Sequence, residues 1–90
     1  MNVEKITKLR HLDLDDLIIG TMLFDGYSRK EIHTFLSLTP AAITSRLNKL
    51  EDIFGPVFEG KFKTAEYLNE SGIGFFELFK QALLVLEDFN

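Results

Sequence analysis

A mainly α chain, with a small β-hairpin set between its third and last helices, is what the sequence predicts. Three observations carry that expectation. Helix-start signals recur at Asp13, Ser28, Thr39 and Asn69. Between them, apolar residues fall three and four positions apart, the spacing of one buried helix face. Only over residues 57–68 does the pattern turn towards alternation, with Gly60-Lys61 at its middle.

The elements follow in order. Residues 1–12 form an N-terminal arm. Asp13 or Asp15 caps a first helix and places acidic side chains at its positive end. Leu14, Leu17, Ile18, Met22 and Leu23 line its apolar face, and Asp25-Gly26 stops it. Ser28 opens a second, short helix, and Glu31 three residues later completes a capping box. Ile32, Phe35 and Leu36 are its buried side, and it ends near Ser37. Thr39 caps a third helix with Pro40 at the first helical position, where a missing N–H costs nothing. Gly55-Pro56 ends it. "PVFEG" and "KFKTAEYL" read as the two arms of the hairpin, and Asn69 caps a last helix running to about Phe89.

Ninety residues suit a single domain. Hydrophobic residues at 46% and charged residues at 27% describe a folded, soluble chain. Cysteine is absent, so disulfides and thiolate metal sites are excluded. The longest wholly apolar run, "ALLVL", is far below the ~20 residues that span a bilayer. The basic N-terminus has no apolar stretch behind it and is not a secretory signal. No membrane partner is expected, and the expected setting is cytoplasmic.

The net charge of −4 is unevenly spread. Residues 28–63 hold Arg29, Lys30, Arg46, Lys49, Lys61 and Lys63 against Glu31, Glu51, Asp52 and Glu59, a net +2. Both flanks are net acidic. Local field rather than total charge governs docking to a polyanion. The one positive segment contains the second and third helices. Within it, residues 29–47 fit a helix-turn-helix: Ile32, Leu36, Leu38, Ile43 and Leu47 fall where two helices bury side chains against each other. The short "LSL" turn keeps them steeply crossed, which leaves the start of the third helix protruding.

From the third helix onwards, "ITSRLNKLEDIFGPVFEG" and "YLNESGIGFFELFKQALLVLED" resemble the N-terminal DNA-binding domain of LysR-type transcriptional regulators. Leu50-Glu51 matches the end of that family's recognition helix, Phe54-Gly55 its turn, Val57-Phe58-Glu59 the opening of its wing, and Leu68 to Gly72 the approach to its linker helix. The resemblance covers about residues 12–89. It implies a winged helix-turn-helix over 1–68 and a C-terminal linker and dimerisation helix over 69–90, without the family's effector domain. The departures are specific. Gly60 replaces an Arg of the wing, Ser37 a frequent turn Gly, and no Gln stands at the start of the third helix.

The implied function is that of a homodimeric, sequence-specific DNA-binding regulator. Ser28, Arg29, Lys30 and Lys49 are expected at phosphates, and Lys61 and Lys63 at the flanking backbone. Thr39, Ala41, Ala42, Thr44, Ser45 and Arg46 are expected to face base edges, with Arg46 able to pair bidentately with guanine. The last helix carries more apolar surface than one core needs. Phe75, Phe76, Phe79, Leu83 and Leu86 are the expected dimer contacts. The competing class is a protein-interaction module that keeps the fold and binds another regulator instead of DNA, favoured by the acidic ends and the missing wing Arg.

No catalytic, cofactor or metal constellation is read. His11 and His33 are isolated. Asp13, Asp15 and Asp16 lack the glycine and the distal Glu of a calcium loop and read as a solvated cap. Gly72-x-Gly74 follows no buried strand and is not a dinucleotide fingerprint.

Overall fold

Each long helix begins where a side chain reaches back to bond an otherwise orphaned backbone N–H. The structure, a computed structural model, describes residues 3–89, apart from the side chains of Lys5 and Ile6. In chain order the helices are α1 (Val3–Leu9), α2 (Leu14–Phe24), α3 (Arg29–Leu36), α4 (Pro40–Phe54) and α5 (Glu70–Glu87), with a 3-10 turn at Ala65–Tyr67. Helix α1 lies in the segment expected to be an arm.

Asp13 caps α2 by accepting from the Asp16 N–H at 3.0 Å, while the Asp13 N–H donates to Asp16 Oδ2 at 3.0 Å. Ser28 and Glu31 close the same reciprocal box on α3. Thr39 accepts from the Ala42 N–H at 3.1 Å ahead of Pro40, and Asn69 accepts from the Gly72 N–H at 2.8 Å. Between α3 and α4 the chain reverses through Ser37, a non-glycine residue in the left-handed region at φ 56°. The Leu38 N–H donates to the His33 carbonyl there at 3.0 Å, which fixes the angle between the two helices.

Of the expected seam, Ile32, Ile43 and Leu47 are fully buried and Leu36 and Leu38 partly so, whereas Phe35, expected on the buried side of α3, is 68% exposed. Around them the core gathers Ile19 and Leu23 of α2, Leu50 of α4, Val57, Phe58, and Phe76 and Phe79 of α5. Helix α5 approaches α2 at Gly20, where a Cβ would stand 2.5 Å from the Phe79 ring and 2.8 Å from that of Phe76. The absent side chain admits both rings, and each is worth about 1.5–3 kcal/mol when removed from water.

The β-hairpin wing is not formed. Among the described residues there is no strand, only one antiparallel bridge between Phe58 and Leu68. The Glu59 N–H donates to the Tyr67 carbonyl at 2.7 Å and the Asn69 N–H to the Val57 carbonyl at 3.0 Å. The reason lies in the side chains. Val57 and Phe58 are adjacent and both buried, which breaks the in–out alternation a strand needs. The Val57 backbone is held on either side: its N–H donates to Glu51 Oε2 at 3.1 Å, and Gly72 lies against its carbonyl, where a Cβ would come within 2.2 Å. The second arm winds into the 3-10 turn, with the Tyr67 N–H on the Thr64 carbonyl. The expected winged helix-turn-helix is therefore corrected to a mainly helical fold in which an irregular loop, not a wing, joins α4 to α5.

Among the described residues no helix is long and apolar enough to cross a membrane.

Candidate nucleic-acid interface

Helix α4 turns three rows of side chains away from its buried seam. The outermost is a ridge of Ala41, Ser45, Asn48 and Asp52, all exposed. Only Asp52, at its far end, is charged. On one side of the ridge lie Thr44 and Glu51, on the other Ala42, Arg46 and Lys49, all of them half-buried. Each flank meets a different part of the fold, and the basic side chains are held very differently on the two.

On the first flank, Arg29 from the start of α3 fastens three segments. Its Nη1 donates to the Lys63 carbonyl at 3.2 Å, and its Nη2 to the Pro40 carbonyl at 3.2 Å and Thr44 Oγ1 at 2.7 Å. Burial lowers its pKa. The fork joins the N-terminal ends of α3 and α4 to the loop after α4. Ser28, Lys30 and Lys61 are exposed in those same segments. Lys30 has no ion-pair partner among the described residues, and Lys61 lies over the Phe62 ring at 5.6 Å. Lys63 pairs with Glu51. Burial pushes the Glu51 carboxyl up, but Lys63 and the Val57 N–H together hold it below its ordinary value.

On the second flank the basic groups turn onto the start of α2. Arg46 Nη1 lies 2.7 and 2.9 Å from the two Asp13 oxygens and 3.2 Å from Asp16 Oδ1, and Nη2 lies 3.6 Å from Asp15. Lys49 pairs with the fully buried Asp16 and donates to the His11 carbonyl at 2.9 Å. The Asp13 hydrogen bond raises the Arg46 pKa against the effect of burial. Burial raises that of Asp13, but Arg46, the Asp16 N–H and Lys49 outweigh it and leave the carboxyl below its ordinary value. The sequence gives no local sign of this cluster, because its partners are 30 or more residues apart. The one clue is the Asp13-x-x-Asp16 box, which fixes a carboxylate inside the first turn of α2.

The residues expected at DNA thus divide. Thr44 and Lys63 meet Arg29 at the fork, Ser28 caps the helix that carries it, Lys61 lies in the loop two residues before Lys63, and Lys30 lines a separate groove with Met22, Thr34 and Phe35. Ala41 and Ser45 stand on the ridge. Thr39 is exposed with its hydroxyl engaged in the cap, and Ala42 is half-buried. Arg46 and Lys49 face carboxylates. Asn48 joins the ridge without having been singled out by the sequence.

The expected dimer residues divide too. Phe76 and Phe79 belong to the domain's own core. Phe75 stacks on Phe54 with centroids 4.4 Å apart, and Leu83 closes a groove of about 350 Å³ with Ile18, Met22 and Phe35. Leu86 is exposed. The continuous exposed stripe is a different one: Leu78, Ala82 and Val85, with Phe89, 82% exposed, in the turn just past the helix end. At 100° per residue this stripe lies roughly 120° around α5 from the buried one.

Among the described residues no group of three or more His, Asp or Glu side chains is placed to hold a metal ion. No family model, curated protein or solved structure matches the chain, so the likeness to the LysR-type domain rests on the residue pattern alone.

Proposed function

We propose that the chain binds double-stranded DNA as a homodimer, with the α4 ridge in the major groove and the α5 stripes of two copies packed together. The observation that carries this reading is the α4 ridge of Ala41, Ser45 and Asn48, exposed and uncharged, at the mouth of a helix-turn-helix. Small side chains let a helix come close to base edges, and the major groove is about 12 Å wide, enough to admit one. Ser45 and Asn48 supply the hydrogen-bonding groups for readout; an Asn amide matches the N6 and N7 positions of adenine. Ser28 and Lys61 fall to the backbone on the Arg29 side. The loop serves only as a carrier of Lys61. A cytoplasmic setting goes with this reading, and no catalytic role is part of it.

Pairing through α5 rests on spacing. Leu78, Ala82, Val85 and Phe89 stand four, three and four apart, the seam of a two-helix coiled pair.

The test is a titration of a labelled mixed-sequence duplex with the wild-type chain and with Ser45→Glu. The substitution puts a negative charge on the ridge without touching the core. The reading expects wild-type binding that weakens with salt and at least a tenfold loss in the variant, about 1.4 kcal/mol. Equal binding by the two proteins removes the ridge from the interface.

A second reading, a protein-interaction module, is favoured by one observation. Arg46, Lys49 and Lys63 are each paired with carboxylates of the same chain. On this reading the α5 stripe meets another regulator's helix. Absence of duplex binding at low salt, with a stable complex through α5, would decide for it.

A further inference from the structure

We propose that Asp13 and Asp15 stand in for DNA phosphate: they occupy Arg46 in the free protein and must yield it before the α2 side of α4 can touch a duplex. The inference rests on the DNA reading above and adds an intramolecular competitor to it.

Three features of the cluster support an exchange rather than a purely structural pair. The first is chemistry. Both Asp13 oxygens lie within hydrogen-bond distance of one guanidinium nitrogen, at 2.7 and 2.9 Å, with Asp15 beside them at 3.6 Å. Two anionic oxygens facing a guanidinium are also what a phosphate offers. The second is access. The Asp13 and Asp15 side chains are 54% and 40% exposed and that of Arg46 is 25% exposed, so the pair can open without disturbing the core. Asp16, by contrast, is fully buried; Arg46 Nη1 also reaches it at 3.2 Å, but Lys49 pairs with it as well and keeps that carboxylate partnered when Arg46 swings out. The third is position. Arg46 is next in sequence to Ser45 and flanks the exposed ridge, where the backbone of a bound duplex passes.

The consequence is selective. Sequence-independent binding draws its affinity from phosphate contacts, whereas base contacts add to it only at preferred sites. Three carboxylates against Arg46 and Lys49 leave this flank with one excess negative charge. A duplex must displace Asp13 from Arg46 and then tolerate the freed carboxylates beside its backbone. That cost falls on every sequence, and only a site offering base contacts to Ser45 and Asn48 offsets it. The acidic start of α2 therefore holds down non-specific binding.

The experiment compares the wild-type chain with Asp13→Asn/Asp15→Asn on a labelled duplex of scrambled sequence, by anisotropy at several salt concentrations. Asn is as good an N-cap as Asp, so the α2 start is retained. Asp15→Asn alone, which touches no cap, serves if the double variant unfolds at lower urea than the wild type. Glu87→Gln/Asp88→Asn, at the far end of α5, removes the same formal charge elsewhere. The proposal expects affinity for the scrambled duplex to rise about tenfold in the Asp13/Asp15 variant. The log–log salt slope should steepen by roughly one, for one phosphate newly engaged. The control should change little. Wild-type binding with no gain in the variant, or an equal gain in the control, overturns the competitor and leaves the DNA reading standing. No duplex binding by any of the proteins overturns both.

Discussion

The Arg29 guanidinium, at the first position of α3, donates a 2.7 Å hydrogen bond to the Thr44 hydroxyl, on the second turn of α4. With its bonds to the carbonyls of Pro40 and Lys63, it ties the two helices of the motif to the loop that follows. A charged donor to neutral acceptors is worth about 1.5–3 kcal/mol in favourable cases. Partial exposure reduces that here. Arg29→Ala should lower unfolding stability by about 1–2 kcal/mol, read from urea midpoints, and Thr44→Val by about 1 kcal/mol. Arg29→Lys should recover little, since an ammonium cannot reach three acceptors in one plane. Full recovery by Lys would show that charge alone matters at this position.

Two glycines should respond oppositely to the same substitution. At Gly20 an added Cβ meets the rings of Phe79 and Phe76 at 2.5 and 2.8 Å, so Gly20→Ala should cost about 1–3 kcal/mol by forcing α2 and α5 apart. At Gly74, inside α5, a Cβ meets nothing within 4 Å. Gly74→Ala should therefore stabilise by up to about 1 kcal/mol through helix propensity. Thermal melts of the two variants check both signs. A stabilised Gly20→Ala would contradict the close α2–α5 crossing.

Ser37 bears a left-handed backbone that costs an L-residue about 1–2 kcal/mol. Glycine removes that cost but loses more freedom on folding, by about 0.5–1 kcal/mol. Ser37→Gly should give a net gain of about 0.5–1 kcal/mol, and Ser37→Val a loss. A Val variant as stable as the wild type would remove the positive φ from the account.

Asp13 and Glu51 both have folded-state pKa values below the ordinary 3.8 and 4.5. A depressed carboxylate pKa means that the unfolded chain binds the proton first. The stabilisation is fully present above the ordinary values and is lost as pH falls through the lower folded ones. Urea midpoints should therefore hold from neutrality to about pH 5 and fall below it. In Asp13→Asn/Glu51→Gln the acid-side fall should be shallower. An unchanged acid limb in that variant would assign the loss to other groups.

Much of the fold was legible because its signals are local. The Ser28–Glu31 box, Thr39 before Pro40, and Asn69 each act on a neighbour three residues away, and each cap forms. The expected hairpin rests on the Gly60-Lys61 turn signal, but Val57 and Phe58 are neighbours in sequence and both enter the core, so no strand face can form there. Phe76 and Phe79 looked like dimer contacts because nothing in α5 reveals that Gly20, more than fifty residues earlier, makes room for both rings. The site was half legible. Arg29 and Thr44 lie on consecutive helices of a recognisable motif. The pairing of Arg46 and Lys49 with the start of α2 depends on how α2 crosses α4, which no local pattern records. Helix α1 is absent from the sequence expectation because seven residues are too few for a helical period to stand out.

The central claim is that the α4 ridge faces DNA. Amide chemical-shift mapping during titration with a short duplex tests it most directly, residue by residue. The largest shifts are expected at Ala41, Ser45 and Asn48, with smaller ones at Ser28 and Lys61, and little change at Leu78 and Val85, already packed in the dimer. Shifts confined to α5, or none in α4 at saturating duplex, would contradict it.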